Sequence, residues 1–122
     1  IATIANGAGL AMATVDAVTA SGLAPANFLD IGGTATSDKV LDCFRQITTL
    51  DNINVIIINI FGGIVRCDEV ARAIINAQRQ ISDLPKLAIR LSGNHEAEAC
   101  QLLAQYNLPL FDSLEAILED IS

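Results

Sequence analysis

Two short loops in this chain carry the residue types that cradle a negatively charged group. The first, Asn6-Gly7-Ala8-Gly9, follows an apolar stretch and leads directly into a helical pattern. Its glycines let the backbone approach a guest, and the first free N–H groups of the helix point outward as donors. The second loop, residues 61–68, reads FGGIVRCD. Gly62 and Gly63 leave its backbone unobstructed, and the amides from Ile64 onward form an anion nest at a helix start. Arg66 stands there against the positive end of its own helix, a poor position for a cation unless an anion compensates. Arg66 is thus a candidate anion contact, with an ion pair across a subunit boundary as the alternative reading. Asp68 suits the first turn as a capping acid. The guest class that fits such donors is a carboxylate or a phosphate.

Other candidates carry blander readings. Asp30 follows the first glycine loop by about 20 residues, the spacing of a dinucleotide fingerprint. Met12, however, fills the third glycine position, where close helix–sheet packing wants a small side chain. An autonomous dinucleotide- or flavin-binding module is therefore the alternative function rather than the leading one. Gly32 to Thr36 form another glycine- and hydroxyl-rich loop, explained by helix capping through Thr36 or Ser37. Asn59, inside an apolar run, reads as a satisfied core amide. His95, the single histidine, reads as a loop residue near Glu96 and Glu98. Cys67 at a helix start is a candidate for a lowered thiol pKa, with no base placed by sequence to use it. Phosphate-loop, nucleophile-elbow and metal-ligand patterns do not occur, so the chain holds no complete catalytic set and no metal site.

The elements that must position these loops alternate with a period of about 25–30 residues. Strands are expected at 1–5, 26–31, 55–60, 87–91 and 108–111. Helices are expected at 10–20, from Ser37 or Asp38 to 49, and at 68–81, 96–106 and 113–121. The isoleucine run of the third strand marks burial on both faces. Pro25, Pro85 and Pro109 are all read as falling just before strands, where no ladder is interrupted. The expected fold is α/β: a flavodoxin-like, doubly wound, five-stranded parallel sheet of order 2-1-3-4-5 with helices on both faces. That order brings the ends of the first and third strands together at the usual ligand crevice. The two glycine loops sit there side by side.

The chain has 122 residues, 52% of them apolar, and a net charge of −7. It is read as a single domain over 1–122. The acidic balance argues against a nucleic-acid partner, and no apolar run approaches the roughly 20 residues that span a membrane. Cys43, Cys67 and Cys100 are widely spaced and odd in number, which points to reduced thiols and an intracellular setting. The opening at Ile1, in mid-strand, suggests a piece of a longer protein.

The segments NGAGLAMATVDAV (6–18), PANFLDIGG (25–33), NIFGGIVRCD (59–68) and RLSGN (90–94) together resemble the C-terminal CoA-ligase domain of the succinate–CoA ligase β subunit. The likeness covers essentially the whole chain. It implies an N-terminal ATP-grasp region outside this chain, and an α subunit as partner. It implies a reaction of succinate or a related dicarboxylate, coenzyme A and a nucleoside triphosphate through a phosphohistidine carried on α. By that resemblance Asn6, Gly63, Ile64 and Val65 match substrate contacts, and Gly7 and Ala8 would offer amides to the phosphate. No catalytic residue and no cofactor belong to this domain. Mg2+, ATP or GTP, and coenzyme A serve the full enzyme, in bacterial cytoplasm or mitochondrial matrix. Thr34 and His95 depart from the usual pattern of the family.

Overall fold

The computed structural model describes residues 1–32, 36–62 and 66–121. Its centre is a parallel three-stranded sheet in the order β1 (Ala2–Ala5), β2 (Val55–Gly62), β3 (Lys86–Gly93). The connections run through α1 (Ala8–Ala20), α2 (Ser37–Thr48) and α3 (Cys67–Gln80), with α4 (Glu96–Ala104) and α5 (Leu114–Ile121) following β3.

The side-chain period of two on β2 explains why both sheet faces are covered. Ile56, Ile58 and Ile60 point into a cluster with Val40 and Phe44 of α2, Ile74 of α3 and Leu103 of α4. Val55 and Ile57 point the other way, onto Val18 of α1 and Ile117 of α5. Burying a strand on both sides in this manner is the usual reason for a near-continuous run of β-branched residues. Asn59 falls on the α1 side and is 2% exposed.

The expected five strands reduce to three. Residues 26–31 and 108–111 flank the sheet but make only single parallel bridges, Ala5 to Asp30 and Ile89 to Leu110. At the first edge, the Asn27 side chain takes the place of a ladder peptide: its Oδ1 accepts the Thr3 N–H at 2.8 Å, and its Nδ2 donates to the Thr3 carbonyl at 3.3 Å. At the other edge Pro109 has no N–H to donate, and the contact closes through the Phe111 amide on the Ile89 carbonyl at 2.9 Å. The lateral sequence of the five stretches is preserved while the outer two lack regular pairing. Helix boundaries shift by one to two residues, most usefully at α1, which begins at Ala8 immediately after Gly7. Thr36 caps α2, its hydroxyl accepting the Lys39 amide at 3.3 Å.

Candidate functional site

The two loops meet at one rim of the sheet, and Asn6 joins them. Its Nδ2 donates to the Phe61 carbonyl at 2.8 Å, while its Oδ1 accepts the Phe61 N–H at 2.9 Å. A side-chain amide that exchanges both bonds with a peptide continues the β1–β2 ladder by one rung beyond the last backbone pair, Ala5 with Asn59. Asn6 is therefore engaged with the protein itself at both polar atoms.

The start of α1 is partly open. Gly7 adopts φ 96°, a left-handed backbone that glycine enters without Cβ strain. Its amide donates to Asp30 Oδ1 at 2.6 Å, and the same oxygen accepts the Gly32 amide at 2.8 Å. This corrects the expectation of a free Gly7 amide: a carboxylate 23 residues on already holds it. It also removes Asp30 from the ribose-binding role of the dinucleotide reading, since that oxygen serves two glycine amides. The amides of Ala8, Gly9 and Leu10 have no partner among the described residues, and the first turn holds no acid.

The start of α3 is closed. Arg66 lies against Asp68, Nε to Oδ1 at 3.1 Å and Nη2 to Oδ2 at 3.0 Å. Arg72, one turn on, adds a third contact to Asp68 at 3.3 Å. Burial pushes the Asp68 carboxyl up, yet the bound Arg66 guanidinium and the Glu69 amide outweigh it and hold the group below the ordinary carboxylate range. Arg66 thus has its anion supplied from two residues away, and no external guest is needed to explain its position. The Cys67 amide donates to the Asn94 carbonyl at 2.9 Å, and the Asn94 amide to the Gly62 carbonyl at 2.8 Å. The loop after β3 in this way stitches itself to both the end of β2 and the first turn of α3. Cys67 also departs from expectation: burial raises its thiol pKa, with a smaller push from Glu96, so it is no activated nucleophile. All three cysteines are free.

His95 takes a left-handed conformation at the start of α4, and its Nδ1 lies 2.6 Å from Glu98 Oε2. Ligand atoms of Asp68, His95 and Glu98 come within 4.8 Å of one another. Two guanidiniums already occupy Asp68, so this trio fits an ion-pair network and not a divalent cation. Gly63, Ile64 and Val65 lie outside the described residues. Two clefts of about 580 and 590 Å³ open at the opposite rim, around Ile53, Ile81, Pro85 and Asn107. Ligands of open parallel sheets gather at the other end of the strands, where the glycine loops converge.

The profile of the CoA-ligase family matches residues 4–119. The chain belongs to that family. It is 46% identical over 110 residues to the succinate–CoA ligase [ADP-forming] subunit beta of Francisella tularensis subsp. tularensis (strain FSC 198). The same identity holds for that subunit from F. tularensis subsp. novicida (strain U112). In both cases 90% of this chain is covered and 28% of the relative, so the chain spans little more than a quarter of their length. Among solved structures, a protein of Pyrococcus horikoshii OT3 matches with a TM-score of 0.80, covering 97% of this chain and 33% of that one. The dinucleotide-forming acetyl-coenzyme A synthetase 1 of Ca. Korarchaeum cryptofilum, with phosphate and ADP, matches at 0.76, covering 95% and 30%. At 16% identity these two show a shared fold alone.

Three further residues shape this region of the sheet and are only weakly marked in the sequence: Asp30, Asn94 and Arg90. Asp30 was weighed only as a ribose ligand, although an acid ending one lane beside a glycine loop is a ready amide acceptor. Asn94 acts through its backbone, which carries no side-chain signal. Arg90, inside the RLSGN segment, received no role; an arginine in a buried strand was the signal available.

Proposed function

We propose that this chain is the C-terminal domain of a succinate–CoA ligase β subunit. It would complete, with an α subunit, the site where succinate or a related dicarboxylate, coenzyme A and phosphohistidine react. The observation that carries this reading is the open first turn of α1 at the rim where Asn6 clasps Phe61. The five-lane arrangement, with its outer lanes reduced to bridges, supports a flavodoxin-like description. Exposed Phe61 and Met12, one at the rim and one in the second turn of α1, suit a face that the α subunit covers.

The chemistry asks for donors more than for reactive side chains. A substrate carboxylate oxygen forms a bond to phosphorus as the phosphorus–nitrogen bond of phosphohistidine breaks. The coenzyme A thiolate then attacks the acyl carbon and phosphate leaves. The first step brings two anions together. The amides of Ala8, Gly9 and Leu10, unpartnered among the described residues, offset that repulsion without introducing a competing nucleophile. Asn6 aims those amides by fixing the loop to β2, and contact of Gly63, Ile64 and Val65 with substrate completes the proposal. ATP or GTP and its Mg2+ belong to an ATP-grasp region beyond this chain, in an intracellular enzyme. No helix among the described residues is long and apolar enough to cross a membrane.

The test uses the full-length subunit containing this chain, assembled with its α partner. Nucleotide- and succinate-dependent formation of succinyl-CoA is the expected activity, and Asn6→Ala is expected to lower kcat/KM for succinate by about 10–100-fold. An assembled enzyme that formed no acyl-CoA from any dicarboxylate would overturn the reading.

A further inference from the structure

Below the rim, one row of side chains crosses the sheet on the face that α1 and α5 cover. Asn59 on β2 pairs in register with Ala5 on one side and with Arg90 on the other. Arg90 Nη1 donates to Asn59 Oδ1 at 3.0 Å, and Asn59 Nδ2 donates to the Thr14 hydroxyl at 3.0 Å. Thr14 in turn donates to the Leu10 carbonyl at 2.7 Å. Thr14 and Asn59 are buried. All three bonds point the same way, from a guanidinium to the first turn of α1, so each polarises the next.

An acid is missing from this row. Arg66, Arg72 and Lys86 each meet a carboxylate. Among the described residues Arg90 meets none: its Nη1 donates to a neutral amide, and its Nε is buried without a partner. The chain carries 14 acids against 7 bases, so leaving a half-buried guanidinium unpaired is not for want of carboxylates. Such a charge is costly until an anion reaches it. Its field also extends to the start of α3, where it draws the Cys67 thiol pKa down against the burial that raises it.

We propose that Arg90 is the anion-binding cation of this domain, taking an oxyanion of the reacting substrates at the rim beside the open turn of α1. This rests on the acyl-CoA-forming reading above. The oxyanion is either a substrate carboxylate or a phosphoryl oxygen, and kinetics in the two directions separate them. The planar fork suits either one, and its link through Asn59 to Thr14 keeps the cation and the α1 amides in one frame.

The experiment compares Arg90→Gln and Arg90→Lys with wild type in the full-length subunit assembled with α. Loss of one charge-assisted contact is expected to raise KM by about 10–100-fold for the bound oxyanion. A rise in the succinate KM of the forward reaction identifies the carboxylate, and a rise in the phosphate KM of the reverse reaction identifies the phosphoryl group. The nucleotide KM is expected to stay within about twofold, and Arg90→Lys to recover part of the loss. Thermal midpoints with and without 10 mM-range succinate or phosphate (about 10 mM) supply a readout independent of turnover. If wild type turns over nothing yet an anion stabilises it and not Arg90→Gln, the ligase reading fails while Arg90 keeps its role. Unchanged succinate and phosphate KM values in Arg90→Gln overturn the proposal, as does equal anion stabilisation of variant and wild type.

Discussion

The starts of α1 and α3 look alike in sequence, each a glycine-bearing turn after a buried strand, yet the structure treats them oppositely. The α3 start is tied down from within: Asp68 gathers Arg66, Arg72 and the Glu69 amide, and the Cys67 amide is taken by Asn94. Among the described residues, the α1 start keeps three amides without partners, and its first turn holds no acid. One helix end is a structural joint, and the other keeps the donors that the proposed guest would use. A glycine turn ahead of a helix is therefore not enough to mark an anion site; what decides is whether the protein has already supplied the anion.

The contrast is open to breaking in four ways. Gly93, at the joint, has φ +111°, and a Cβ there would meet the Gly62 carbonyl oxygen at 2.7 Å. Gly93→Ala is expected to destabilise by about 3 kcal/mol, from backbone strain and displacement of β2 together. Urea unfolding of the chain measures it, and a loss under about 1 kcal/mol would mean that the joint is loose.

Asp30→Ala releases the Gly7 and Gly32 amides and is expected to cost about 1–2 kcal/mol. Asp30→Asn keeps an oxygen acceptor at the same atom and is expected to recover most of that loss. Equal destabilisation by both variants would assign the effect to charge and not to amide capture.

Asp68 titrates with a known sign. Its folded pKa lies below the ordinary value of 3.8, so its ionised form stabilises the fold above that value, and the contribution disappears as pH falls through the lower folded pKa. The stability gap between wild type and Asp68→Asn should therefore be constant from pH 7 to about pH 5 and narrow below pH 4. A gap that instead widened on acidification would contradict the ion pairs drawn at α3.

The smallest effect belongs to the open turn. A Cβ on Gly9 would meet nothing within 4 Å, so Gly9→Ala is expected to stabilise α1 by about 0.5 kcal/mol. The thermal midpoint should rise slightly; a fall would show that something fills the space beside the first turn.

How far the sequence led can be judged from particular residues. The strand–helix alternation, the buried isoleucine strand and the core position of Asn59 follow from local period and composition, and all were legible. The Arg66–Asp68 pair lies two residues apart and was equally open to reading. Weighing each residue separately against the helix dipole hid it. Regular pairing at the edges was overestimated, because no period reveals that the Asn27 side chain stands in for a ladder peptide.

By itself, then, the sequence determined the α/β class, the two glycine turns and membership of the CoA-ligase family, because these depend on neighbours within a turn or a strand. Only the tertiary structure decided which amides keep no partner among the described residues, and that Arg90 meets a neutral amide instead of a carboxylate there. Asn6 finds Phe61 across 55 positions, Asp30 finds Gly7 across 23, and Arg90 finds Asn59 across 31. Partners so distant are chosen by strand register and helix docking, and the free valence of each group is known only after those choices are made.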